Sequence, residues 1–121
     1  MALATTIVAA MSGVPFQQQV SATTGNGTIL ALPPSFRNHE WLITGNAGIS
    51  AGSVQIEAGT DPISDTGTWA PVAAAVTPLA STDLMVQVQG IFQFVRARIA
   101  TTISGGTTAG VTVTYYGAKS Y

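Results

Sequence analysis

The stretch VQIEAGTDPISDTGTWAPV, residues 54 to 72, alternates apolar and polar side chains, breaks into a loop holding two aspartates, and resumes at a tryptophan. Alternation with period two marks a strand with one buried and one solvated face, because successive side chains leave an extended backbone on opposite sides. In SVQIEAG it sends Val54, Ile56 and Ala58 one way and Gln55 and Glu57 the other. Asp61-Pro62 favours turn initiation, Asp65 can accept from backbone N–H groups two residues on, and Gly67 permits the reversal before Trp69. The stretch reads as strand, loop, strand.

The same cadence runs through the chain. Strands are expected at VPFQQQV (14 to 20), TILAL (28 to 32), HEWLITG (39 to 45), SVQIEAG (53 to 59), WAPVAAAV (69 to 76), LMVQVQ (84 to 89), FQFVRARIA (92 to 100) and GVTVTYYG (110 to 117). TGNGT at 24 to 28 and TGNAG at 44 to 48 supply turn residues that tolerate positive φ, and Pro33-Pro34 cannot continue a ladder. ISGGTTAG at 103 to 110 reads as a hairpin tip between the last two strands. Eight short strands imply two packed sheets. The expected fold is therefore all-β, a single β-sandwich or jelly-roll-like domain of about eight antiparallel strands over residues 13 to 121, with an N-terminal arm at residues 1 to 12.

Side-chain parity nominates the core: Trp41 and Ile43, Leu84, Val86 and Val88, and Val111, Val113 and Tyr115, together with the aliphatic set of SVQIEAG. FQFVRARIA is less simple. Strict alternation puts Val95, Ala97 and Ile99 inward and leaves Phe92, Phe94, Arg96 and Arg98 on the other face. A bulge after Gly90 would instead turn Phe92 inward. Otherwise two aromatics and two guanidinium groups form an outer stripe, a composition enriched at protein interfaces.

At 121 residues the chain is long enough for one core and too short for two ordinary ones. Only 7% of its residues are charged, whereas soluble domains average roughly 25%, so Thr, Ser, Gln, Gly and Ala must cover the outside. A surface so poorly ionised is expected to be partly covered by partners. Four basic and five acidic residues give a net charge of −1, which provides no footprint for direct nucleic-acid or anionic-lipid binding. With no cysteine there is no disulfide framework, thiolate nucleophile or cysteine-based zinc site. MALATTIVAAMSG lacks a basic n-region, so no secretory leader is expected, and no apolar run reaches the roughly 18 residues of a helical membrane span. Leu3, Ile7, Val8 and Met11 are spaced to share one face of a short helix; the segment is otherwise a frayed terminus, a strand on its own domain, or an arm docked on a neighbour.

No constellation of reactive groups emerges. Asp61 and Asp65 lie close in sequence, but a Ca²⁺ site takes about six to eight oxygens and the spacing matches no EF-hand. The sole histidine, His39, has no second histidine or nucleophile elbow to complete a reaction, and is expected to make a structural hydrogen bond. Glu57 and Asp83 are a conceivable carboxylate pair only if distant strands bring them together. The glycine clusters lack phosphate-loop spacing and read as turns. Trp41, Trp69, Tyr115, Tyr116 and Tyr121 could supply a sugar-stacking platform, although Trp41 and Tyr115 are expected to face the core. No cofactor, metal or small-molecule substrate is expected.

The succession VQIEAGTDPISDTGTWAPV, LMVQVQGIFQFVRARI and ISGGTTAGVTVTYYG resembles small β-sandwich structural proteins of tailed bacteriophages, particularly head decoration or cement proteins. The resemblance spans residues 54 to 117. It implies a non-enzymatic virion protein, made in the host cytoplasm and attached to the capsid surface. Such a protein would bind the major capsid protein lattice as a homo-oligomer, with a trimer favoured. The contacts expected on that basis are Leu3, Ile7 and Val8 of the arm and Phe94, Arg96 and Arg98 of the outer stripe. A tail, neck or fibre component and a carbohydrate-binding sandwich are the alternatives.

Overall fold

A computed structural model describes residues 7–9, 16–60 and 69–119. The chain is all-β: β1 (Ile7–Ala9), β2 (Phe16–Ser21), β3 (Gly25–Asn26), β4 (Ile29–Ala31), β5 (Phe36–Gly45), β6 (Ala51–Gly59), β7 (Trp69–Pro71), β8 (Asp83–Gln89), β9 (Phe94–Ser104) and β10 (Val111–Lys119). One sheet has the order β1-β4-β9-β6-β7, with β3 pairing β9 beside β4; the other has the order β2-β10-β5-β8. Because β3 and β4 take successive positions along β9, they act as one interrupted strand. That leaves nine strands among the described residues; with β1 set aside as an added edge strand, the other eight follow a jelly-roll order, β2-β10-β5-β8 facing β4-β9-β6-β7. All pairings are antiparallel except β1 with β4, which is parallel.

The alternation read from the sequence builds the core. Trp41, Ile43, Val54, Ile56, Val95, Ala97, Ile99, Val111, Val113 and Tyr115 are all buried between the sheets. Each contributes roughly 1.5–3 kcal/mol if large and aliphatic or aromatic. Leu84, Val86 and Val88 are only half-buried, because β8 is the last strand of its sheet and covers the core from one side. Phe92 takes the inward alternative. Gly90, at φ +153°, breaks the strand before β9 begins, and Phe92 folds onto the core with its ring centroid 5.0 Å from that of His39.

Several expectations change. Residues 7–9 take the alternative of a strand on their own domain and not that of a helix, in register with β4 through Ile7 and Ile29, Val8 and Leu30, and Ala9 and Ala31. This portion of the expected arm therefore joins its own domain, while Leu3 lies outside the described residues. The segment 69 to 76 leaves the ladder at Pro71, continuing along β6 only through Val72 N–H to Ile56 and a bridge between Val76 and Val54. The ISGGTTAG segment is not a hairpin tip: β9 and β10 belong to different sheets, so it forms a corner between them.

Close packing at the sandwich end makes Gly117 obligatory. It faces the core directly after Tyr115, and a Cβ built there would lie 2.6 Å from the Phe36 ring and collide with the Tyr115 hydroxyl. Gly117→Ala is expected to cost about 1–3 kcal/mol of stability through overpacking, measured as a lower urea midpoint with unchanged slope. An unchanged midpoint would show that the end of the core is loosely packed.

Candidate functional site

Among the described residues, the outward side chains of β6 and β9 form the most concentrated group of charges. The register sets Glu57 opposite Arg96 and Gln55 opposite Arg98. Direct cross-strand neighbours on one face have Cβ atoms about 4.5–5.5 Å apart, close enough for paired side chains to meet. Arg96 donates from Nε to Glu57 Oε1 at 2.9 Å and holds the same oxygen from Nη2 at 2.8 Å. Arg98 donates from Nε to Glu57 Oε2 at 3.1 Å and from Nη2 to Gln55 Oε1 at 2.9 Å. One carboxylate thus serves two guanidinium groups.

Trp69 completes the group. It stands opposite Gly59 on β6, and Phe94 stands opposite Gly59 from β9. With no side chain between them, the indole reaches across the sheet, and the Arg96 Cζ lies 4.1 Å from its ring centroid. Ile29 follows the same β4–β9 register to the position beside Arg96 and is fully buried outside the inter-sheet cluster. Arg96 and Glu57 are buried too. The centre of this sheet is therefore closed on both faces within a single chain.

This corrects the outer stripe. Arg96 is sealed against Glu57 and Trp69 and is not available to a partner, because leaving a guanidinium beside a carboxylate on a covered sheet face costs less than separating them there. Phe94 is half-buried, and the Arg98 side chain retains 35% exposure. Ile7 and Val8 are placed on the sheet edge by their pairing with β4, and Leu3 is outside the described residues. Among the described side chains of the expected contacts, Arg96 is thus withdrawn from any outer surface, while Phe94 and Arg98 stay partly exposed. Sequence reasoning placed Glu57 outward but missed its partners; the signal was the pair of arginines at i and i+2 on one strand with a lone carboxylate on another.

His39 sits at the other concentration of polar chemistry, inside the core. Its Nε2 lies 2.9 Å from the Gly90 carbonyl, which can only accept, so Nε2 carries the proton. Nδ1 then accepts from the Tyr115 hydroxyl at 2.7 Å. The ring packs among Trp41, Phe92 and Tyr115. Burial lowers the His39 pKa below 6.5, against an opposing contribution from the Gly90 carbonyl, and raises that of Tyr115 above its usual range. Both ring nitrogens are engaged, which matches the structural hydrogen bond expected of this residue.

The outer face of the β5–β8 pair sets polar pairs on either side of Leu42 and Met85. Gln87 donates to Glu40 at 2.8 Å and Gln89 to Asn38 at 3.1 Å, and Thr44 donates to Asp83. Asn38, His39, Glu40, Gln87, Val88 and Gln89 border a shallow hollow of about 340 Å³. Asp83 belongs to β8 and Glu57 to the opposite sheet, each with its own partner, so they form no carboxylate pair. Asp61 and Asp65 lie outside the described residues. Among the described residues, no three His, Cys, Asp or Glu side chains group closely enough to hold a metal ion. No family model, curated protein or solved structure matches the chain.

Two outcomes follow for stability. Glu57→Gln leaves Arg96 buried without its carboxylate and is expected to cost about 3–5 kcal/mol, whereas Arg98→Gln, at a half-exposed position, is expected to cost about 1 kcal/mol or less. Equal costs in urea denaturation would show that the buried pair is not special. For His39 the folded pKa is depressed, so as pH falls below 6.5 the unfolded chain takes up a proton that the native state refuses, and stability is lost until the folded value is passed. His39→Gln should show a smaller loss between pH 6.5 and 5 than the parent chain; identical slopes would contradict it.

Proposed function

We propose that this protein is a non-enzymatic structural component of a tailed-bacteriophage virion, a decoration or cement protein that binds the major capsid protein lattice and stabilises the head. The observation that supports it most is the surface. Nine residues of 121 are charged, and Arg96 and Glu57 neutralise one another in the interior. Val20, Leu79, Met85, Ile91 and Tyr116 meanwhile stand exposed. Such an exterior favours close contact with neighbours over independent life in solution.

The jelly-roll order adds support, since this architecture recurs in shell-forming proteins as well as in lectins. Many copies on a lattice gain avidity from modest contacts, so no single interface has to be strong. A glycan-binding reading needs exposed aromatics sharing one face. Trp41 and Tyr115 are buried and Trp69 is engaged by Arg96, leaving Tyr116 as the exposed aromatic among the described side chains.

The test is to purify particles from infected cells, quantify the protein by mass spectrometry, and locate it with gold-labelled antibody. The expected result is many copies per particle with label over the head. Label confined to the tail, neck or fibres would replace the head assignment, and absence from particles would overturn the reading.

A further inference from the structure

The four edges of the two sheets are not equally protected. Strands at sheet edges expose unpaired N–H and C=O groups, and monomeric proteins blunt them with short length, proline, lysine or bulges. In one sheet, β7 ends at Pro71, and β1 shows three residues among those described. In the other, β2 is interrupted where its register with β10 shifts between Val113 and Thr114. β8 has none of these devices. Its seven residues, DLMVQVQ, pair with β5 in unbroken register from Thr44 and Asp83 to Asn38 and Gln89. Among the described residues, no backbone hydrogen bond from another element reaches its outer edge.

Apolar exposure gathers in the same place. Three of the five exposed large hydrophobic residues, Leu79, Met85 and Ile91, lie on β8 or within four residues of its ends, and Met85 is 53% exposed. The inward row Leu84, Val86 and Val88 is only half-buried, so it keeps surface that another strand would cover.

We propose that β8 is a self-association strand, pairing antiparallel with β8 of a second copy across a two-fold axis at Val86. In that register Leu84 faces the second copy's Val88, Met85 its Gln87 and Asp83 its Gln89, because each pair is symmetric about residue 86. Every inward aliphatic meets an aliphatic, and the one charged side chain of the strand meets a carboxamide rather than its own copy. The two four-stranded sheets become one of eight strands, with β5, β8 and their counterparts at its centre. An isologous contact of this kind closes on itself and adds no third subunit. It goes beyond the virion reading and does not rest on it, replacing the three-fold order implied by resemblance with a two-fold contact.

The test is sedimentation velocity of the full chain over a concentration series, with circular dichroism confirming that each variant is folded. The parent chain is expected to show a monomer–dimer equilibrium. Met85→Lys with Gln87→Lys sets like charges opposite one another twice across the axis, at positions exposed in the single chain, and should weaken association roughly tenfold or more. Met85→Glu with Gln87→Lys sets opposite charges there and should retain the dimer. A parent chain that stays monomeric at high concentration overturns the proposal, including one that binds a capsid-derived extended peptide instead. So does an oligomer, trimeric or otherwise, that is indifferent to both double variants. Particle labelling is unaffected by any of these results, so failure here leaves the virion assignment to its own test.

Discussion

The closing of β9 on both faces is the condition on which the rest of the molecule depends. One face contributes Val95, Ala97 and Ile99 to the space between the sheets. The other presents Arg96 beside fully buried Ile29, with Glu57 across the ladder. A buried guanidinium is tolerable only with a carboxylate at hydrogen-bonding distance, and Glu57 supplies it while also accepting from Arg98. The pairing therefore selects the β6–β9 register as well as neutralising charge: a one-residue slip would bring Arg96 to the core and a valine or alanine to Glu57.

This arrangement also shapes the exterior. Among the described residues, two of the chain's few charges, Arg96 and Glu57, are committed to the interior, and the exposed side chains are mostly hydroxyl, amide and aliphatic. The polar ladder on β5 and β8 is built from carboxamides against Glu40 and Asn38, which satisfy hydrogen bonding without creating a strong field. Low charge lets copies approach closely, and the regular edge of β8 supplies directional hydrogen bonding where they could meet. Among the described edges, β7 carries Pro71 and β2 faces a register shift, whereas β8 is regular throughout.

At the end of the core, His39, Tyr115, Trp41 and Phe92 form a polar-aromatic plug whose hydrogen bonds run from the Tyr115 hydroxyl through the imidazole to the Gly90 carbonyl. The same Gly90 that accepts this bond also breaks the strand so that Phe92 can turn inward. Backbone conformation and side-chain satisfaction are joined at one residue, which explains why an inward histidine is tolerated in a core otherwise aliphatic and aromatic.

The amino-acid order by itself determined that the chain is β, where most strands lie, and which side chains of β5, β6, β9 and β10 face inward, because period-two alternation is a local property of extended backbone. It also determined the scarcity of charge and the absence of thiol chemistry. Only tertiary structure decided that β9 and β10 part into different sheets, that Gly25–Asn26 pairs as β3 instead of serving only as a turn, and that Ile7–Ala9 joins β4. It alone decided that outward-facing Arg96 and Glu57 are covered, whereas the equally outward Met85 and Tyr116 are exposed. The reason is physical: alternation states which way a side chain points, but what meets it there is set by elements tens of residues away, and their placement follows from the packing of the whole fold.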